Sequence, residues 1–273
     1  MFSFILYIIL YIMRLNKTKR KSKKRKITKK RTTKSNNKIN KIFVLSFYKE
    51  RREKYKKNKL YEIYEATPKT KITKKVENEY SFYHNVNRNT KLKNIAITED
   101  HYNIWKKIIK EDLKNIVIIE DDVYIKDFKK LNNIVGDKFI YIGGELYPKI
   151  QKDIKSFKKN RLNKLKLKEG INLMSENELS MMGAFGYYIP NATIAKKLID
   201  VIPVKNKKKT IDTELKRIRW KYPELINGYY YPALALINYD DAITGHNYKA
   251  LVNKEVDKIY KNTEFEFYGR NKK

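Results

Sequence analysis

The chain has 273 residues, with 63 Lys and Arg against 30 Asp and Glu, a formal net charge of +33, 41% apolar residues and no cysteine. Such a chain is long and apolar enough to bury a full core, which excludes general disorder. The lack of cysteine excludes a disulfide framework, a thiolate zinc site and a cysteine nucleophile, and three histidines argue against a His-rich metal site.

Residues 1–13, MFSFILYIILYIM, are uncharged and apolar. They fall short of the roughly 17–25 residues a spanning helix needs. An interfacial anchor, an atypical signal segment and translated upstream sequence are the alternatives. Residues 14–41 then carry fifteen Lys and Arg and no acid, close to half of the excess charge. The charge suits a polyanion partner, yet Lys, Asn, Ile and Tyr are all products of A/T-rich codons, and codon composition explains the balance equally well. Residues 14–40 read as a basic linker and 41–273 as one folded domain, with nucleic acid not expected as its partner. A basic flank after the apolar segment would keep the domain cytoplasmic, with residues 1–41 offering contact to a membrane surface.

Ile42 to Leu45 reads as the first strand, and the Lys/Glu-rich stretch after Arg51 and Arg52 as a helix, giving a βα unit. Residues 67–94 are polar and irregular and read as loop. His101, Ile104, Trp105, Ile108 and Ile109 then share one helical face from Asp100 onward. The continuous β-branched run Ile116–Ile119 fits a strand covered on both sides, the habit of central strands in an α/β sheet. A second strand, Phe139 to Ile142, ends at Gly143-Gly144. A third, Phe185 to Ile189, follows Gly183 and leads through Pro190-Asn191 into a helix carrying Ile194, Ala195, Leu198 and Val201. Residues 149–168 form a basic surface helix or loop. A short helix carries Leu215 and Ile218, with Thr210 or Asp212 as its N-cap.

Glu120-Asp121-Asp122 directly follow the strand 116–119. Three carboxylates there repel one another unless a cation or donors compensate, and this end of an open α/β sheet is where ligands bind. Oxygen-only ligation selects Mg²⁺ or Mn²⁺; capping of a following turn is the alternative. His101 is either a ligand or acid–base group, or a satisfied core histidine beside Trp105. Gly143 is a turn residue or a close approach of backbone to ligand. Asp212 and Glu214 complement a helix dipole or present a general base.

In chain order, these blocks resemble glycosyltransferase family 25, which includes lipooligosaccharide and collagen galactosyltransferases. The resemblance runs through Ile42–Ser46 with Arg51-Arg52, His101 with Trp105, Ile118-Ile119-Glu120-Asp121-Asp122, Asp137–Gly143, Gly183–Ile189 with Ala195–Leu198, Ile211-Asp212 with Leu215, and Pro232 with Asp241–Ile243. The family's Gly-Cys and Ser ahead of the histidine are Ile97-Thr98 and Asp100 here. The resemblance implies a GT-A-type, Rossmann-like nucleotide-sugar-binding α/β fold, its mostly parallel central sheet flanked by helices. It also implies a UDP-sugar donor, Mn²⁺ or Mg²⁺ at Asp121 and Asp122, and transfer of galactose or glucose with inversion to a glycan or protein hydroxyl. Ser46, Arg51, Arg52, Glu120 and Gly143 become candidate donor contacts, Asp212 the candidate base and His101 an active-site residue. A polyanion-binding protein using the basic tail, and a catalytically inactive binding module, are the competing functions.

Overall fold

A computed structural model describes residues 38–81, 87–148, 168–173, 179–203, 208–231 and 233–237. The apolar segment 1–13, the linker 14–40 up to Asn37, the basic stretch 149–168 up to its last residue, Pro232 and residues 241–243 lie outside the described residues. Among the described residues, no helix is long and apolar enough to cross a membrane.

Among the described residues nine strands are formed: β1 (Lys41–Ser46), β2 (Tyr61–Glu65), β3 (Ile116–Glu120), β4 (Val123–Ile125), β5 (Phe139–Pro148), β6 (Gly170–Leu173), β7 (Leu179–Ile189), β8 (Ile226–Tyr231) and β9 (Ala235–Ile237). Seven make one sheet in the order β2-β1-β3-β7-β5-β8-β6, while β4 and β9 pair separately. β2, β1, β3, β5 and β8 run in one direction, and β7 and β6 run against them. This is the expected Rossmann-like α/β sheet, with an antiparallel strand inserted at its centre.

Three longer helices cover one face: α1 (Arg88–Lys110), α2 (Ala192–Asp200) and α3 (Ile211–Lys221). Their apolar stripes, including Ile104, Trp105, Ile108, Leu198, Leu215 and Ile218, pack on Phe43, Leu45, Ile116 and Ile118. The alternate strand residues Ile42, Val44, Val117 and Ile119 face the other layer, which Tyr55, Val123, Leu131, Ile134 and Ala235 supply. β3 is thus covered on both sides, as its unbroken apolar run requires.

The local differences from the sequence reading have physical causes. α1 begins at Arg88, capped by Asn87, whose side chain accepts from the Thr90 N–H; its first turns carry almost no apolar residue and therefore no periodic signal. The stretch after Arg52 is only a four-residue helix, Glu53–Lys56, before β2. β2 is a sheet edge whose Glu62 pairs with Lys41 and Lys107, and charge is what an exposed edge requires. β5 does not stop at Gly143-Gly144. It continues to Pro148 through irregular pairing with β7, and Gly144 takes the bend at φ 145°, a conformation open to glycine.

Gly143 and Gly186 pair across β5 and β7. A Cβ on Gly143 would lie 2.5 Å from the Ala235 carbonyl oxygen, and one on Gly186 would lie 2.6 Å from the Ala235 Cβ. The two glycines therefore form the bed on which β9 lies. This corrects the expectation for Gly143: chain, not ligand, occupies the space above it. Gly186→Ala is expected to cost about 1–3 kcal/mol through overpacking, read as a lower urea midpoint with unchanged slope.

Candidate active site

β1 continues outward to β2 on one side, and the chain then returns to place β3 on the other side of β1. The crevice outside the carboxyl ends of β1 and β3 is thus a topological switch point, where open α/β sheets bind ligands. Leu45 stands opposite Glu120 in that register, so the acidic triplet opens onto the loop that follows Ser46.

Asp121 is buried there and fully occupied. One oxygen accepts from the Phe47 and Tyr48 amides at 2.7 and 3.0 Å and from Ser46 Oγ at 3.3 Å; the other meets Arg51 Nη1 at 2.8 Å. The Tyr55 hydroxyl donates to the Asp121 and Val123 carbonyls, pinning the turn from beneath. Arg52 Nε donates to Ser46 Oγ, and its Nη1 pairs with Glu65. Several expectations change accordingly. Asp121, expected to ligate a metal, spends both oxygens on protein donors. Ser46 and Arg52, expected at the donor, complete the same clasp between the ends of β1, β2 and β3. Arg51 belongs chiefly to Asp121, although its Nη2 is buried without a partner.

Glu120 and Asp122 flank this clasp without sharing it. Asp122 Oδ1 is buried with no hydrogen-bond partner. Burial, followed by repulsion from Asp121, pushes the Glu120 carboxyl up to about 7, against the opposing pull of Lys93. Burial, followed by Glu120 and Asp121, pushes Asp122 up to about 7, with Arg51 opposing.

Asp212 and His101 close the site from the helical layer. The Thr98 hydroxyl, on α1, accepts from the Ile211 N–H at 3.0 Å and so caps α3 from another helix. Glu214 reaches back to the Lys209 N–H at 2.7 Å. Thr210 occupies the N-cap position without a side-chain cap bond. Asp212, rather than capping its own helix, accepts from the Ala184 N–H on β7 at 2.6 Å. Burial and then Glu120 raise its carboxyl to about 6, with the Ala184 bond and His101 opposing.

His101 is fully buried. Its Nδ1 lies 2.7 Å from the Tyr187 hydroxyl, and its Nε2 lies 3.9 Å from Glu120 Oε1. Burial pushes its pKa down to about 4 despite Asp212 and Asp100, so the ring is neutral at pH 7. Trp105 Nε1 donates to the same Tyr187 hydroxyl at 3.0 Å. Asp100, next to His101, turns away and accepts from the Thr67 amide and hydroxyl at 2.8 and 2.6 Å.

Glu120, Asp122, Asp212 and His101 are thus brought together, while Ser46, Arg52, Asp121 and Gly143 serve the frame. Tyr187, Thr98 and Tyr55 had no distinguishing sequence signal, since each reads as an ordinary core or helix residue. Among the described residues, no group of three or more His, Asp or Glu side chains is arranged to hold a metal ion. The remaining oxygen donors, Asp122 with Glu120, still fit an ion that takes one or two carboxylates and completes its shell with phosphate oxygens.

The raised carboxyls have a consequence for stability. A group whose folded pKa exceeds its unfolded value favours folding below the unfolded pKa, and that contribution is lost as pH rises through the folded pKa. Stability of the ligand-free protein should therefore fall between about pH 4 and 7 on account of Glu120, Asp122 and Asp212. Asp122→Asn should flatten that slope in urea titrations; an unchanged slope would contradict the assignment.

A sequence model of one protein family, described as glycosyltransferase family 25 (LPS biosynthesis protein), matches residues 8–214, more than half of the chain. No curated protein matches the chain.

Proposed function

The chain belongs to glycosyltransferase family 25, and on that premise we propose that it moves a hexose, galactose or glucose, from a UDP-sugar to a hydroxyl of a glycan or protein acceptor, with inversion, in a GT-A-type site. Three buried polar atoms without partners carry this reading: Arg51 Nη2, His101 Nε2 and Asp122 Oδ1. Such groups are rare in folded proteins and call for a partner, of which a bound ligand or ion is one. Here a cationic donor, a neutral donor and an anionic acceptor gather around Glu120–Asp122, at the switch point of the sheet.

The reaction follows from these residues. Arg51 Nη2 offers a hydrogen bond and positive charge to the donor diphosphate. Mn²⁺ or Mg²⁺, held by Asp122 with Glu120, would neutralise charge on the same diphosphate. Asp212, its carboxyl raised to about 6, has a basicity suited to accepting a proton near neutrality. It takes the proton of the acceptor hydroxyl as that oxygen bonds to the anomeric carbon. The bond from that carbon to the diphosphate oxygen breaks on the opposite face, and UDP leaves with the electron pair.

UDP with Mn²⁺ should raise the melting temperature of the full chain, and Asp122→Asn should abolish the shift while the variant remains folded. Absence of a nucleotide-dependent shift with any divalent ion would overturn the donor assignment. A shift without UDP release from any UDP-sugar would instead favour a catalytically inactive binding module.

A further inference from the structure

We propose that Tyr187 is a positioning residue that holds His101 in its Nε2–H tautomer, so that the ring faces Glu120 as a hydrogen-bond donor and neither as a base nor as a metal ligand. The tautomer is independent of the function proposed above; only its consequence for sugar transfer rests on that reading.

In a dry site every proton donor needs an acceptor. Trp105 Nε1 can only donate, so its 3.0 Å contact makes the Tyr187 oxygen an acceptor. The Tyr187 hydroxyl proton then needs an acceptor of its own, because the side chain is fully buried. His101 Nδ1, at 2.7 Å, provides one. If Nδ1 instead carried the proton and donated to Tyr187, the tyrosine oxygen would accept twice and its own proton would lack any hydrogen-bond partner among the described residues. His101 Nε2 would also turn a lone pair toward the Glu120 carboxylate at 3.9 Å. With Tyr187 donating, Nδ1 is satisfied and Nε2–H points at Glu120. Ring contacts fix the two side chains relative to one another: the His101 and Tyr187 rings lie 5.7 Å apart at 29°, and Phe139 stacks on Tyr187 at 5.0 Å and 16°.

The 3.9 Å gap to Glu120 exceeds a hydrogen bond. Catalytic hydrogen bonds are often long in the ligand-free state and shorten when substrate binds. His101 cannot serve as a base through a nitrogen that already carries hydrogen, which is consistent with proton abstraction by a carboxylate such as Asp212.

The test is long-range ¹H–¹⁵N NMR of the full chain labelled with ¹⁵N-histidine at pH 7.5. The chain has three histidines, so His84→Gln and His246→Gln complete the assignment. His101 should show a protonated Nε2 and a bare Nδ1. Trp105→Phe, which leaves the Tyr187 hydroxyl in place, should keep that pattern, and Tyr187→Phe should move the ring toward Nδ1–H or a mixture. A wild-type ring protonated at Nδ1 overturns the proposal, even if Tyr187→Phe does not fold. Groups that orient metal-bound histidines cost about 10–100-fold when removed, and by analogy UDP release by Tyr187→Phe should fall about 10–100-fold. Unchanged release with an altered tautomer would overturn the positioning role. No UDP release by the wild type, with the tautomer as stated, would count against the transferase reading alone.

Discussion

Asp121→Ala should destabilise the protein by about 3–5 kcal/mol, the cost of leaving one member of a buried ion pair alone. The side chains of Asp121 and Arg51 are 2% and 7% exposed, so water cannot replace what the substitution removes. The Phe47 and Tyr48 amides lose their acceptor at the same time, and each buried group left unsatisfied adds to the penalty. Asp121→Asn keeps an oxygen for the amides but not the charge facing Arg51, and should fall between wild type and Asp121→Ala. Asp122→Asn, one residue away, removes a carboxyl that burial already holds near 7, and should leave stability at pH 7 unchanged or higher. Urea denaturation of the three variants checks the ordering. If Asp122→Asn proved the most destabilised, the roles given to these adjacent acids would be reversed.

Asp212→Asn should lower the rate of UDP release by about 10²–10⁴-fold, the range for removal of a general base, while donor binding and fold are retained. The asparagine oxygen can still accept from the Ala184 N–H that holds Asp212 at 2.6 Å, so the side chain stays in place and only its basicity is lost. The pH profile gives an independent check. A base must be ionised to act, so wild-type release should decline as pH falls through about 6, where Asp212 is raised by burial and by Glu120. The residual activity of Asp212→Asn should lack that limb. Retention of the limb in the variant would assign it to another group, with Glu120 the first candidate.

The strand that carries the acidic triplet is legible in the sequence, and the division of labour among the acids around it is not. An unbroken apolar run ending in three acids identifies a central strand with carboxylates at its ligand-facing end, and Ile116–Glu120 is that strand. Sequence cannot distinguish an acid awaiting a cation from one already neutralised by protein. Asp121 is held by Arg51, 70 residues earlier, and by amides of a loop whose conformation leaves no residue pattern. Arg52 reads as a phosphate contact for the same reason, since an arginine fork suits a carboxylate and a phosphate equally, and here it serves Glu65. The packing of Ala235 on Gly143 has no sequence signal, because Ala235 arrives from a strand of three residues, too short to show a period. Asp212 was identified as a candidate, yet its placement depends on Thr98 capping α3 from another helix, a contact without any sequence spacing to reveal it.

The central claim is that Glu120, Asp122 and Asp212 frame a nucleotide-sugar site in which Asp212 activates the acceptor hydroxyl. Its most direct test is UDP release by the full chain across a panel of UDP-sugars with Mn²⁺, compared among wild type, Asp122→Asn and Asp212→Asn. The wild type should release UDP from at least one UDP-hexose, with donor binding lost in Asp122→Asn and turnover, but not binding, lost in Asp212→Asn. Wild-type turnover that persisted at full rate in both variants would contradict the claim.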